Sequence, residues 1–124
     1  MSRSQQTPFE YSFETRGDVL VLDLTDWSGG TEAMDEAEAD WLSKAGRAHI
    51  TATVTEFSPE TTLGRETQDH LARAWSENAR EANVEKLAFV SEGIKARAVS
   101  ANLDVPQEIK TFKSVEEAVE WARE

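Results

Sequence analysis

Three groups of side chains in this chain have types that can do chemistry. Ser58-Pro59-Glu60-Thr61-Thr62-Leu63-Gly64 places hydroxyls between a β-branched run and a helical pattern. Such hydroxyls serve as turn and N-cap acceptors. The free N–H groups of a helix N-terminus there also favour an anion. Trp27-Ser28-Gly29-Gly30-Thr31 is a glycine turn whose amides could cradle an anion, although nearby carboxylates oppose a phosphate. His49 begins a β-branched segment, and His70 follows Asp69 one residue off a helical apolar stripe. Neither histidine has metal-ligand spacing or stands in a nucleophile–base–acid set. These residues predict no catalytic constellation, no metal centre and no cofactor.

The aromatic residues divide by position. Trp41, Trp75 and Trp121 fall on helical stripes and read as core. Trp27 and Phe57 stand just past the ends of apolar segments. If those segments are neighbouring parallel strands, both rings flank one rim, with Ser58 and with Ser91-Glu92-Gly93. The expectation is an apolar rim at Trp27, Phe57, Ser58 and Glu92, fit for a small hydrophobic molecule or a partner's side chain.

The elements that must position these residues follow from hydrophobic period. Phe9, Tyr11 and Phe13 alternate with polar residues, as in a half-exposed strand over 9–15. Arg16-Gly17-Asp18 is a turn into a more apolar strand over 18–25. Thr31 is the expected N-cap of a helix bearing Met34, Ala37, Trp41, Leu42 and Ala45 on its inner face, stopped by Gly46. A strand over 48–57 follows, then a helix over 64–83 with Leu71, Trp75, Ala79 and Ala82 inward. A strand over 86–91, a short helix over 94–102 and a strand over 107–112 precede a last helix capped by Ser114, with Glu117 at the capping-box position. Residues 1–8 read as a disordered arm and 9–124 as one α/β domain. Its five strands should form one mixed sheet, the first antiparallel and the rest parallel, with about four helices.

Composition sets the outer bounds. With 24 acidic against 13 basic residues, the net charge is −11, and the surface should repel nucleic acid. An even spread of carboxylates, few lysines and no cysteine resemble proteins adapted to a concentrated-salt cytoplasm. The absence of cysteine excludes disulfides, thiolate metal sites and thiol catalysis. No apolar stretch is long enough to span a membrane, and the first residues lack a secretory apolar region, so a cytoplasmic location is expected.

Val84-Glu85-Lys86-Leu87-Ala88-Phe89-Val90-Ser91 and Lys110-Thr111-Phe112-Lys113-Ser114-Val115-Glu116-Glu117-Ala118-Val119-Glu120-Trp121-Ala122 resemble the closing strand and helix of SpoIIAA-like domains. The order of elements over 9–124 is similar to the STAS/SpoIIAA-like fold. The resemblance implies a non-enzymatic regulatory module acting on a protein partner, as monomer or homodimer. Anti-sigma-factor antagonists of the STAS family carry an Asp-Ser-Ser-Gly-Leu type motif whose first serine is phosphorylated. Glu60-Thr61-Thr62-Leu63-Gly64 is its nearest counterpart here and puts Thr61 at that position. Threonine replaces serine, and the glycine between hydroxyl and leucine is missing. The alternative is a domain that binds a small hydrophobic ligand or lipid at the strand-end rim.

Overall fold

Runs of β-branched and aliphatic residues between turn signals become strands, and the stripes at helical spacing cover them. The computed structural model describes residues 9–31, 34–82, 84–92 and 95–124, so the expected arm over 1–8 lies outside the described residues. The strands are β1 (Ser12–Arg16), β2 (Val19–Leu24), β3 (Ala52–Phe57), β4 (Lys86–Val90) and β5 (Glu108–Phe112). The helices are α1 (Met34–Ala45), α2 (Arg65–Ala82), α3 (Lys95–Ala101) and α4 (Val115–Ala122). The order is the expected β-β-α-β-α-β-α-β-α.

The five strands lie in the sheet in chain order. β1 pairs antiparallel with β2, and β2 to β5 are parallel neighbours. The β1–β2 hairpin turns at Gly17, whose φ of 65° suits a residue without Cβ. Crossovers of one hand between successive parallel neighbours put their helices on one face. The core follows that rule. Leu20, Leu22, Leu24, Phe57, Leu87 and Phe89 pack with residues of α1, α2 and α3. Val19, Val21, Ala52, Val54, Ala88 and Val90 pack on the other face against Ala118, Val119, Trp121 and Ala122 of α4. Strands buried on both faces read as nearly continuous apolar runs, as β2 and β4 do.

Ser114 caps α4 as expected, its side chain accepting from Glu117 N at 3.2 Å. Met34 N donates to Thr31 O at 3.2 Å, while residues 32 and 33, inside the expected start of that helix, lie outside the described residues. Two strand boundaries differ from expectation by more than one residue. Phe9 and Tyr11 precede β1 rather than lying in it; the Phe9 ring is buried and packs 5.9 Å from the Tyr11 ring. His49 sits in a turn closed by Ile50 N to Arg47 O at 3.0 Å, so the third strand starts only at Ala52.

Candidate functional site

The rim expected at the strand ends is closed. Trp27 and Phe57 are each 2% exposed, with ring centroids 6.0 Å apart, and they belong to the helix-covered core. Phe57 stacks on Trp75 and on Phe89 at 6.1 Å each, with interplanar angles of 13° and 15°. The Trp27 indole N–H donates to Gly30 O at 2.8 Å, which satisfies its one polar atom inside. Trp27 lies past the end of β2 as expected, whereas Phe57 is the last residue of β3 and the register partner of Leu24, and both rings turn inward instead of lining an open site. Ser58 is half-buried and its Oγ accepts from Glu60 N at 3.0 Å, a turn role.

Glu92 is exposed, and its charge acts on Glu56, as do those of Asp23 and Glu116. Asp23 and Glu56 are register partners on the α4 face, so the strand-end carboxylates and the aromatics lie on opposite faces of the sheet. Burial, reinforced by those negative neighbours, pushes the Glu56 carboxyl above its ordinary value. Among the described residues no group of three His, Cys, Asp or Glu side chains is placed to hold a metal ion.

Thr61 is not an exposed hydroxyl. It is 1% exposed, and its Oγ1 donates to Trp27 O at 3.0 Å. Around it the loop after β2 is stitched to the loop after β3: Thr62 N donates to Ser28 O at 2.8 Å and Thr67 Oγ1 to Gly29 O at 2.5 Å. Gly29, at φ 112°, lets the strands of chain approach, since a Cβ there would lie 1.7 Å from Thr62 O. The glycine turn is therefore a structural clasp, and its carbonyls are engaged by threonines. A kinase needs a hydroxyl it can reach. The expected phosphorylation site at Thr61 is corrected on that ground: the hydroxyl is committed to the clasp.

The concave site lies elsewhere, between α1, α2 and the middle of the sheet. A cavity of about 40 Å³ is floored by Leu22, Leu24, Thr53, Thr55, Leu87 and Phe89. Met34, Ala37, Glu38 and Trp41 of α1 wall one side, Trp75, Asn78 and Ala79 of α2 the other, and Leu103 the end. Glu38, Trp41, Asn78 and Leu103 are partly exposed, so the cavity opens between the helices. The facing alanines, Ala37 and Ala79, leave the room. Helix stripes bring most of this wall into place, because residues three and four apart share a face.

Glu38 is the charged member of the wall. Its side chain is 11% exposed, and Oε2 is hydrogen-bonded to His70 Nε2 at 2.6 Å and to Trp75 Nε1 at 2.8 Å. Asn78 Nδ2 donates to the Glu38 backbone carbonyl at 3.1 Å, which ties α2 to α1 beside the opening. His70, expected to be a structural histidine, here fixes the carboxylate. A buried carboxylate needs such donors, and with them it is a stationary negative charge.

The sequence reading missed Glu38, Thr53, Thr55 and Asn78. A signal existed for the first three. Glu38 occupies a stripe position with Met34, Ala37 and Trp41, and Thr53 and Thr55 alternate with Ala52 and Val54 in a strand covered on both faces.

Among the described residues no helix is long and apolar enough to cross a membrane. Comparison with known proteins finds no matching family model, curated protein or solved structure.

Proposed function

We propose that this chain is a non-enzymatic SpoIIAA/STAS-like domain that binds a small hydrophobic ligand in the cavity between α1, α2 and the sheet. The observation that carries the reading is the cavity itself: mostly apolar walls, a few convergent polar groups and an opening between two helices. The acidic composition supports placing it in a cytoplasm of concentrated salt. A protein-interaction role switched at Thr61 finds no support in a buried hydroxyl. About 40 Å³ is far below the ~150 Å³ that admits benzene, so the ligand enters as a narrow chain rather than a ring.

Xenon, an apolar probe of that size, tests the reading by NMR on the full chain in molar potassium chloride. Xenon should shift the methyl resonances of Leu22, Leu24 and Leu87. The Ala79→Leu variant, which fills the space between the helices, should abolish the shifts. Identical responses from wild type and variant, or none from wild type, would remove the basis of the proposal.

A further inference from the structure

Thr53 and Thr55 stand two residues apart on the middle strand and so face the same way. In register, Thr53 lies between Leu20 and Leu87, and Thr55 between Leu22 and Phe89. The floor of the cavity is thus a hydroxyl stripe one strand wide with apolar residues on both sides. The threonines are 2% and 4% exposed, among the described residues neither hydroxyl takes part in a hydrogen bond, and neither oxygen is a fully enclosed atom without a partner, so both are reachable from the cavity. Buried polar groups in folded proteins are nearly always partnered. A hydroxyl can both donate and accept, so its partner can be an alcohol or a carbonyl.

The opposite wall limits the choice. Glu38 lines the same small space, held in place by His70 and Trp75. A second negative charge inside it would be repelled at short range through a medium of low dielectric. The overall charge of −11 acts in the same sense on any approaching anion. Trp41 and Leu103, both partly exposed, offer apolar surface towards the opening for the rest of a chain.

On the premise that the cavity is a ligand site, we infer that its ligand is an uncharged aliphatic alcohol or ketone. Its oxygen meets Thr53 and Thr55, its alkyl chain runs out past Trp41 and Leu103, and Glu38 excludes the corresponding fatty-acid carboxylate. The ligand class follows from three side chains, two that need a partner and one that refuses an anion.

The test uses the full chain, methyl-labelled, with 1-hexanol, 2-hexanone and hexanoate as probes at neutral pH in molar salt and xenon in parallel. Hexanol and hexanone should bind at least about tenfold more tightly than hexanoate, the size of one good hydrogen bond or more. Thr53→Val with Thr55→Val should weaken hexanol about tenfold and leave xenon binding intact. If that variant fails to fold, wild type supplies the same answer: 1-hexanol should bind about tenfold more tightly than 1-chlorohexane. Equal binding of hexanoate and hexanol overturns the inference, as does equal binding of chlorohexane and hexanol or an undiminished hexanol affinity in the double variant. Xenon binding in those cases leaves the cavity reading standing. A cavity that takes neither xenon nor hexanol, holding ordered water only, removes both.

Discussion

The Thr61 hydroxyl donates to the Trp27 carbonyl at 3.0 Å, and this bond ties the loop after β3 to the loop after β2. It is a long-range closure inside the core, beside the stacked rings of Phe57, Trp75 and Phe89. Thr61→Val should leave the buried carbonyl without its donor and cost about 1–3 kcal/mol. Thr61→Glu should cost more, because a charged and larger side chain must enter a closed site. Denaturant melts in molar salt measure both. A Thr61→Glu protein as stable as wild type would return the hydroxyl to the surface and revive a phosphorylation switch.

Gly29 makes the same clasp possible from the other side. A Cβ at this position would sit 1.7 Å from Thr62 O, and the φ of 112° is one that residues with Cβ rarely adopt. Gly29→Ala should destabilise by at least about 2 kcal/mol, combining backbone strain with displacement of the Thr62 peptide. Gly30→Ala is the control, since a Cβ there meets nothing within 4 Å. Equal melting temperatures for the two variants would show that the loops are not clasped.

Much of the architecture was legible because burial on a parallel sheet leaves a strong mark. The runs Val19–Leu24 and Lys86–Val90, and the stripe Leu71, Trp75, Ala79, Ala82, have no other good explanation. The site was not legible for a physical reason. Periodicity tells which positions face inward, not whether the inward side chains fill the space. Ala37 and Ala79 read as ordinary stripe residues, yet they face one cavity from two helices. Threonine is β-branched, so Thr53 and Thr55 support a strand whatever their hydroxyls do. The strand-end rule placed Trp27 correctly past β2, put Phe57 one residue too far along since it closes β3, and carried no information on which way the rings turn. Phe57 belongs to the face covered by α1, α2 and α3 and its neighbour Glu56 to the α4 face.

Glu38 should be a positioning element of the cavity wall. Glu38→Gln keeps the shape, retains an acceptor for the Trp75 indole and removes the charge. Hexanoate affinity should then rise while hexanol affinity changes little, read by the same methyl shifts. Unchanged hexanoate affinity would mean that the carboxylate does not set the charge preference of the site.

Salt dependence tests the acidic surface as a whole. From 0.1 M to 1 M salt the Debye length falls from about 10 Å to about 3 Å, and apolar burial is strengthened by excluded salts. With a net charge of −11, the melting temperature should rise across that range of potassium chloride. A flat or falling curve would refute adaptation to concentrated salt.

Glu56 gives that behaviour a local origin. It is a register partner of Asp23 and feels Glu116 and Glu92, and burial first, then these charges, raises its carboxyl above the ordinary value of 4.5. A carboxyl whose folded-state pKa is raised binds its proton more tightly in the folded protein than in the unfolded chain. Stability is therefore lost as pH rises through the carboxylate range, and the penalty is present in full at neutral pH. Glu56→Gln should remove it: the variant should melt above wild type at pH 7, and the difference should vanish as pH falls below 4.5. Because the group is only partly buried, screening should also shrink the difference in molar potassium chloride. Thermal melts of both proteins over pH and salt decide the matter. A variant less stable than wild type at pH 7 and low salt would show that the Glu56 carboxylate is a favourable partner rather than a strained charge.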